Sequence, residues 1–332
     1  MRPMASDTAF RGARVLVTGG VGFIGSTLAA RLVALGADVT LLDNMDDEGG
    51  ANPVNIAAIR GRANVAIGDL NDAGTVAPLL DGRDYVFNLA GRSSHMGSLA
   101  DPLADLDINC RAQLGLLELC RTRAPAARIV FASTRQMYGR PDRLPVDEAH
   151  PLRPPDPNAV SKMAGEAYHL LYHRIHGLGT AALRLTNTYG PRMRVKDANQ
   201  TFLGVWLRCL IEGRPFEVWG GEQRRDLTYV DDVVEAFLLA ATVPAALGRV
   251  FNIGGERTVS LTELARLLVA ANGGGSFGLK EFPAERRRID IGDYEADDRA
   301  FRDLTGWQPR VALPDGLART LAFFHEHRGD YF

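Results

Sequence analysis

The chain has 332 residues, with 38 Lys and Arg against 40 Asp and Glu and a formal net charge of −2, which gives no electrostatic case for nucleic acid or an anionic membrane as partner. Its 46% hydrophobic and 23% charged content suits a globular chain with a sizeable core, and no apolar run reaches the roughly 20 residues a bilayer span requires. Cys110, Cys120 and Cys209 show no metal-ligand spacing and suit buried free thiols in a reducing cytoplasm, the expected location.

Met1 to Gly12 lack an apolar stretch and read as a flexible tail, not a signal peptide. Arg14 to Thr18 predicts a first strand, followed by a glycine-rich turn and by Ile24, Leu28, Leu32 and Leu35 at helical spacing. Further strands are predicted at Asp38–Leu42, Asn64–Ile67, Tyr85–Leu89, Arg128–Phe131 and Thr180–Leu185. Strand alternating with helix argues an α/β fold with a doubly wound parallel sheet covered on both faces. After Tyr189-Gly190-Pro191 the rhythm changes. A helix over Phe202–Ile211, a strand over Phe216–Val218 and a block from Leu261 onward read as a smaller C-terminal α/β region. The helix Asp232–Thr242 and the strand Val250–Ile253 return to the main sheet, and Gly273-Gly274-Gly275 is a loop.

Thr18-Gly19-Gly20-Val21-Gly22-Phe23-Ile24-Gly25 follows the first strand and opens a helix, the context in which a glycine pattern signals a dinucleotide site. The early glycines allow a tight turn close to a pyrophosphate, Gly25 lets the helix pack near the sheet, and the helix N-terminus favours the anion. Asp43 ends the second strand, where a carboxylate accepts from both ribose hydroxyls and repels a 2′-phosphate. Asn44, not arginine, follows, so NAD is the expected cofactor.

With these pieces the chain resembles the extended short-chain dehydrogenase/reductases, specifically the NAD-dependent nucleotide-sugar epimerases and dehydratases such as UDP-glucose 4-epimerase. The resemblance runs from Arg14 to the C-terminus. Its segments fall in the family's order: the glycine motif, Gly68-Asp69-Leu70, Asn88-Leu89-Ala90-Gly91, Ala132-Ser133-Thr134 before Tyr138-Gly139, Lys162, Arg184 to Pro191, Arg225-Asp226, Tyr229 to Asp232, Asn252 to Gly255 and Gly306-Trp307-Gln308-Pro309. It implies a Rossmann-type NAD-binding domain over residues 13–186 plus 228–255, and a sugar-nucleotide-binding domain over residues 187–227 plus 256–332.

The resemblance also implies residue roles. Gly19, Gly22, Phe23, Ile24, Gly25, Asp43, Asn44, Asp69, Leu70, Leu89, Ala90 and Gly91 line the cofactor. Thr134 bonds the reacting sugar oxygen, and Lys162 holds the nicotinamide ribose and supplies positive charge. Asn187 and Arg225 meet the diphosphate, with Gln136 and Arg288 as further substrate contacts. A guanidinium is a bidentate fork for phosphate in its own right. Against these stand plainer readings: Arg225 as a surface charge beside Arg224, Asn187 as a strand-end turn residue, and Arg286-Arg287-Arg288 as a solvated basic turn. Homodimers in the family form through the helices that correspond here to residues 107–121 and 159–173.

The resemblance breaks at Asn158. The family places its proton-transferring tyrosine four residues before the lysine, on the same helix face, where Lys162 here is preceded by Asn158. An amide can hydrogen-bond but cannot act as a general base. The acidic pair that the dehydratases carry after the threonine is Arg135 and Gln136 here, which disfavours dehydration and decarboxylation. Three readings stay open. His95 is the base, since a histidine titrates in the useful range, although a lone loop histidine is commonly structural. Lys162, or a water chain through Thr134, relays the proton. The protein binds NAD and a sugar nucleotide without turnover. The leading expectation is NAD-dependent epimerisation of a nucleoside-diphosphate sugar at C4, with Thr134, Lys162, Asn158 and His95 as catalytic candidates and no metal. A sugar-nucleotide dehydrogenase or ketoreductase, or a silent binding protein, is the alternative.

Overall fold

The computed structural model describes residues 8–47, 49–196, 201–283 and 289–332. Seven parallel strands form the central sheet: β1 (Arg14–Thr18), β2 (Asp38–Asp43), β3 (Asn64–Ile67), β4 (Tyr85–Asn88), β5 (Arg128–Thr134), β6 (Gly179–Leu185) and β10 (Val250–Ile253). Their spatial order is β10-β6-β5-β4-β1-β2-β3. The order reverses direction between β1 and β4, so the loops leaving these two strands diverge and open a crevice at the carboxyl edge. The predicted strands all form, within one residue at most ends. β5 runs on to Thr134, three residues past its expected limit, which carries that hydroxyl to the sheet edge.

Helices cover both faces because the strands are apolar on both. In the Phe23–Ala34 helix, Gly25, Leu28, Ala29 and Leu32 are buried against the sheet at helical spacing. Each buried leucine contributes roughly 1.5–3 kcal/mol. One core unites Val15, Val17, Leu28, Phe87, Phe237 and Phe251; the opposite face packs Leu16, Val86, Leu116, Leu117 and Ile129. Phe10 corrects the expected tail. Its ring is fully buried against Tyr85 and Phe87, so the end of that stretch is anchored to the packed body.

A separate apolar core joins Tyr189, Trp206, Leu207, Phe216, Val218, Leu264, Leu317 and Phe324. It is roofed by two small sheets that the strand reading had not fully anticipated. β7 (Asn187–Tyr189), β9 (Arg224–Tyr229) and β11 (Thr258–Ser260) form one, and β8 (Phe216–Trp219) with β12 (Phe277–Lys280) the other. Asp232 ties this region to the sheet: its carboxylate accepts from the Arg310 and Val311 N–H groups, and its carbonyl from the Trp307 indole. The helix Pro157–His176 crosses behind the crevice. Asp156 caps its N-terminus through Ala159 N, Pro157 takes its first turn, and Gly177, at φ 71°, ends it in the left-handed region. No helix among the described residues is long and apolar enough to cross a membrane.

Candidate active site

The crevice at the carboxyl edge is a cleft of about 570 Å³, within the usual range for small-molecule sites. At one end lie Gly19, Gly22, Phe23, Ile24, Gly25, Asp43, Asn44, Asp69 and Leu70; Leu89, Ala90 and Gly91 continue along the wall to Thr134, Asn158, Lys162, His95 and Asn187. The first group fits a dinucleotide. A Cβ at Gly25 would collide with the Gly19 carbonyl, so only glycine lets the helix start this close to the turn. The helix begins without a side-chain cap, leaving its N-terminus to an anion. Asp43 is held by the N–H groups of Val21 and Met45, each at 2.9 Å, and presents its carboxylate at the tip of β2. These are the features that admit NAD and oppose a 2′-phosphate.

Behind Ala90 a buried polar chain fixes the wall. Thr18 Oγ1 donates to Asn88 Oδ1 at 2.9 Å and accepts from Ala90 N; Asn88 Nδ2 donates to Gln113 Oε1 at 2.6 Å. His169, stacked on Phe131, closes the chain, and burial lowers its pKa to about 4, so the ring is neutral there.

At the far end, the Thr134 hydroxyl accepts from Gln136 N at 3.1 Å, which leaves its own proton to donate. Lys162 Nζ donates to the Ala132 carbonyl at 3.2 Å. Burial lowers its pKa to about 8, opposed in part by the negative charge of Asp105. Gly91 makes room for this amine: a Cβ there would stand 2.9 Å from Nζ and 2.6 Å from Asn109 Oδ1.

Asn158 is buried, and its Nδ2 donates to both the Arg92 carbonyl and Asp105 Oδ2, each at 2.8 Å. Both partners are acceptors, so the amide nitrogen must face them and the amide oxygen is the atom left for the cleft. Asn109 makes the same pair of bonds from the other side and accepts from Arg92 N. It sits in a π turn, Asp107–Arg111, whose wider backbone aims Asn109 inward. Asp105, fully buried, thus receives two amides on Oδ2 while its Oδ1 has no partner.

His95 lies in the cleft wall but not on a loop: Ser94 caps a short helix, His95–Ala100, that begins with it. Its Nδ1 is 2.9 Å from Asp156 Oδ2. Burial raises the Asp156 carboxyl, but His95, the Ala159 N–H and the Gln136 amide outweigh that and hold it below its ordinary value. The contact has ion-pair distance but not hydrogen-bond alignment, so His95 is a base candidate with a carboxylate beside it.

Two expected substrate contacts are turned elsewhere. Gln136 is buried behind the wall, its amide donating to Asp156 and to the Ile289 carbonyl. Arg225 does not line the cleft because its guanidinium is engaged by Asp290 at 3.0 Å and by the Gly292 carbonyl. Arg288 lies outside the described residues. The sequence reading missed Asp105, Asn109 and Asp156 as site-builders. Asp156 before Pro157 was readable as a helix cap. Asp105 and Asn109, four apart, carry no sequence signal that separates them from polar positions on a helix surface.

The model of the NAD dependent epimerase/dehydratase family matches residues 15–254. The chain is 33% identical over 315 residues to a UDP-glucose 4-epimerase of Mycolicibacterium smegmatis, covering 94% of this chain and 98% of that one. It is 36% identical over 321 residues to a dTDP-glucose 4,6-dehydratase of Streptomyces griseus, covering 95% and 94%. Among solved structures it is similar to a dTDP-glucose 4,6-dehydratase of Streptomyces venezuelae with NAD bound, at a TM-score of 0.87 and 28% identity, covering 95% and 98%.

Proposed function

The chain belongs to the NAD-dependent epimerase/dehydratase family, and from that premise we propose that it epimerises a nucleoside-diphosphate sugar by transient oxidation of its C4 hydroxyl, with His95 in place of a tyrosine as proton acceptor. One observation carries this choice. His95, with Asp156 beside it, lines the same cleft as Thr134, Asn158 and Lys162. The carboxylates that line the cleft among the described residues are Asp43, Asp46, Asp69 and Asp107, and Asp69 and Asp107 share a second pocket away from the Thr134 end. Dehydration needs acids beside the sugar, and the two positions after Thr134 are Arg135 and Gln136, the latter turned behind the wall. Epimerisation needs only one group that takes and returns a proton.

NAD, when bound, supplies the two-electron acceptor that takes the hydride and gives it back. The protein's own work is proton handling and orientation. Thr134 donates to the reacting oxygen, Asn158 Oδ1 accepts from a neighbouring hydroxyl, and His95 takes the hydroxyl proton with Asp156 stabilising the imidazolium. Lys162 keeps positive charge beside the developing oxyanion. Asn187 contacts the diphosphate. Two copies pair through the helices at residues 107–121 and 159–173, beside which Leu103, Leu106 and Val160 are exposed.

The test is incubation of the NAD-loaded protein with UDP-, dTDP-, GDP- and CDP-sugars, read by product stereochemistry and by NADH absorbance. An epimer without net NADH is expected. Stoichiometric NADH would mark a dehydrogenase, and saturable binding without product a silent binding protein.

A further inference from the structure

Three arginines are buried near the substrate end of the cleft, and two have a carboxylate. Arg184 is bound at both Nε and Nη2 by Glu166, and Arg225 by Asp290. Arg135 has none. It is only 9% exposed, and its bonds run to neutral amide oxygens: Nη2 to Asn187 Oδ1 at 2.6 Å and Nη1 to Gln136 Oε1 at 3.4 Å. Its Nε is buried with no partner, although the side chain lines the cleft. The guanidinium rests 5.2 Å over the Tyr294 ring, which adds no counter-charge. Burial, and then the nearby Arg225 cation, lower its pKa to about 10, so it remains charged at neutral pH. Asp226 and Asp290 lie close enough to offset this in part, but neither bonds the guanidinium, so its buried charge is only partly compensated. The Nε edge, with the second proton of an Nη, is the side of a guanidinium that a carboxylate takes bidentately.

Arg135 directly follows Thr134, and consecutive Cα atoms are about 3.8 Å apart. Both residues line the cleft, so the Arg135 charge belongs to its Thr134 end, away from the glycine turn. Resting on the nucleotide-sugar reading above, we infer that the sugar itself is anionic: the substrate is a nucleoside-diphosphate uronic acid whose carboxylate is received by Arg135. The other source of an anion is the diphosphate, and the two are separable.

The experiment measures calorimetric binding to the NAD-loaded protein of three matched pairs, UDP-glucose and UDP-glucuronate, dTDP-glucose and dTDP-glucuronate, GDP-mannose and GDP-mannuronate, each beside the nucleoside diphosphate alone. In the wild type, the uronate of the pair with the accepted base should bind at least tenfold tighter than its neutral partner. Arg135→Gln should remove that margin and leave the nucleoside diphosphate unchanged, and Arg135→Lys should restore part of it. No margin in the wild type overturns the inference, as does an equal loss for the diphosphate and both sugars in Arg135→Gln. The wild-type comparison decides even if the variants fold poorly. If no nucleotide binds, the nucleotide-sugar reading itself fails; if the diphosphate and neutral sugar bind as well as the uronate, only the carboxylate assignment does.

Discussion

Asn158 Nδ2 and Asp105 Oδ2 are 2.8 Å apart, and this contact turns the amide nitrogen toward a buried carboxylate and leaves the amide oxygen to the cleft. The position preceding Lys162 by one helical turn is thereby a structural anchor as well as a cleft residue. Asp105 in turn supplies the nearby negative charge that keeps Lys162 from losing its proton more readily.

Asn158→Asp tests that anchor. The change is isosteric but sets a second carboxylate against Asp105 and the Arg92 carbonyl. Two such carboxyls share a proton, so the pair's folded pKa rises above its unfolded value. The native state then binds the extra proton between those values, and stability relative to wild type falls as pH rises through the folded value. We expect a deficit of about 3 kcal/mol at pH 7 that closes toward pH 4. Urea unfolding of both proteins across that range measures it; a constant deficit would mean that Asp105 does not face the new carboxylate.

His95→Ala should lower turnover by about 10²- to 10⁴-fold with little effect on NAD binding. Asp156→Asn should lower it less, because asparagine preserves the helix cap at Ala159 and still contacts the ring. Unchanged turnover in His95→Ala would assign the proton to Lys162 or to a relay through Thr134.

Lys162 has a folded pKa lowered to about 8 by burial. Below that value the amine is charged in both states, and folding bears the burial penalty. As pH rises from 8 toward the unfolded value the native state loses its proton first, so stability recovers. A shift from 10.5 to about 8 corresponds to roughly 3 kcal/mol, less the contact with the Ala132 carbonyl. Lys162→Met should therefore raise stability of the NAD-free protein by about 2 kcal/mol at pH 7, with the gain vanishing near pH 10, while turnover collapses. Thermal unfolding at several pH values checks the first part. A variant less stable at every pH would contradict it.

Asp43→Asn removes the charge that repels a 2′-phosphate and keeps an oxygen that can accept from the Val21 or Met45 N–H. The ratio of NADP to NAD affinity should rise about tenfold or more. Fluorescence titration with both dinucleotides reads it, and an unmoved ratio would place discrimination elsewhere.

The main sheet was readable because each strand is a short β-branched run between turn signals. The helix Phe23–Ala34 was readable because its apolar residues recur at one face. The small sheets were harder. β7 and β11 are three residues long and β12 carries a glycine, too little pattern to separate strand from loop. Phe10 lay in a stretch that looked like a tail, and only its partners Tyr85 and Phe87, far along the chain, show it to be core. The helix at Pro157–His176 buries Asn158, Lys162, Glu166 and His169 on one face, a polar stripe that periodicity alone assigns to solvent.

By itself the sequence determined the doubly wound α/β order, the glycine turn with Asp43 for NAD, and the identities of Thr134, Asn158 and Lys162, since all of these follow from neighbours within a turn or a strand. The tertiary structure decided which polar groups meet. His95 finds Asp156 across 61 positions, Arg225 is occupied by Asp290, and Arg135 bonds no carboxylate among the described residues. Such pairings depend on where distant segments pack, and a buried charge has its energy set by whichever partner the fold brings to it.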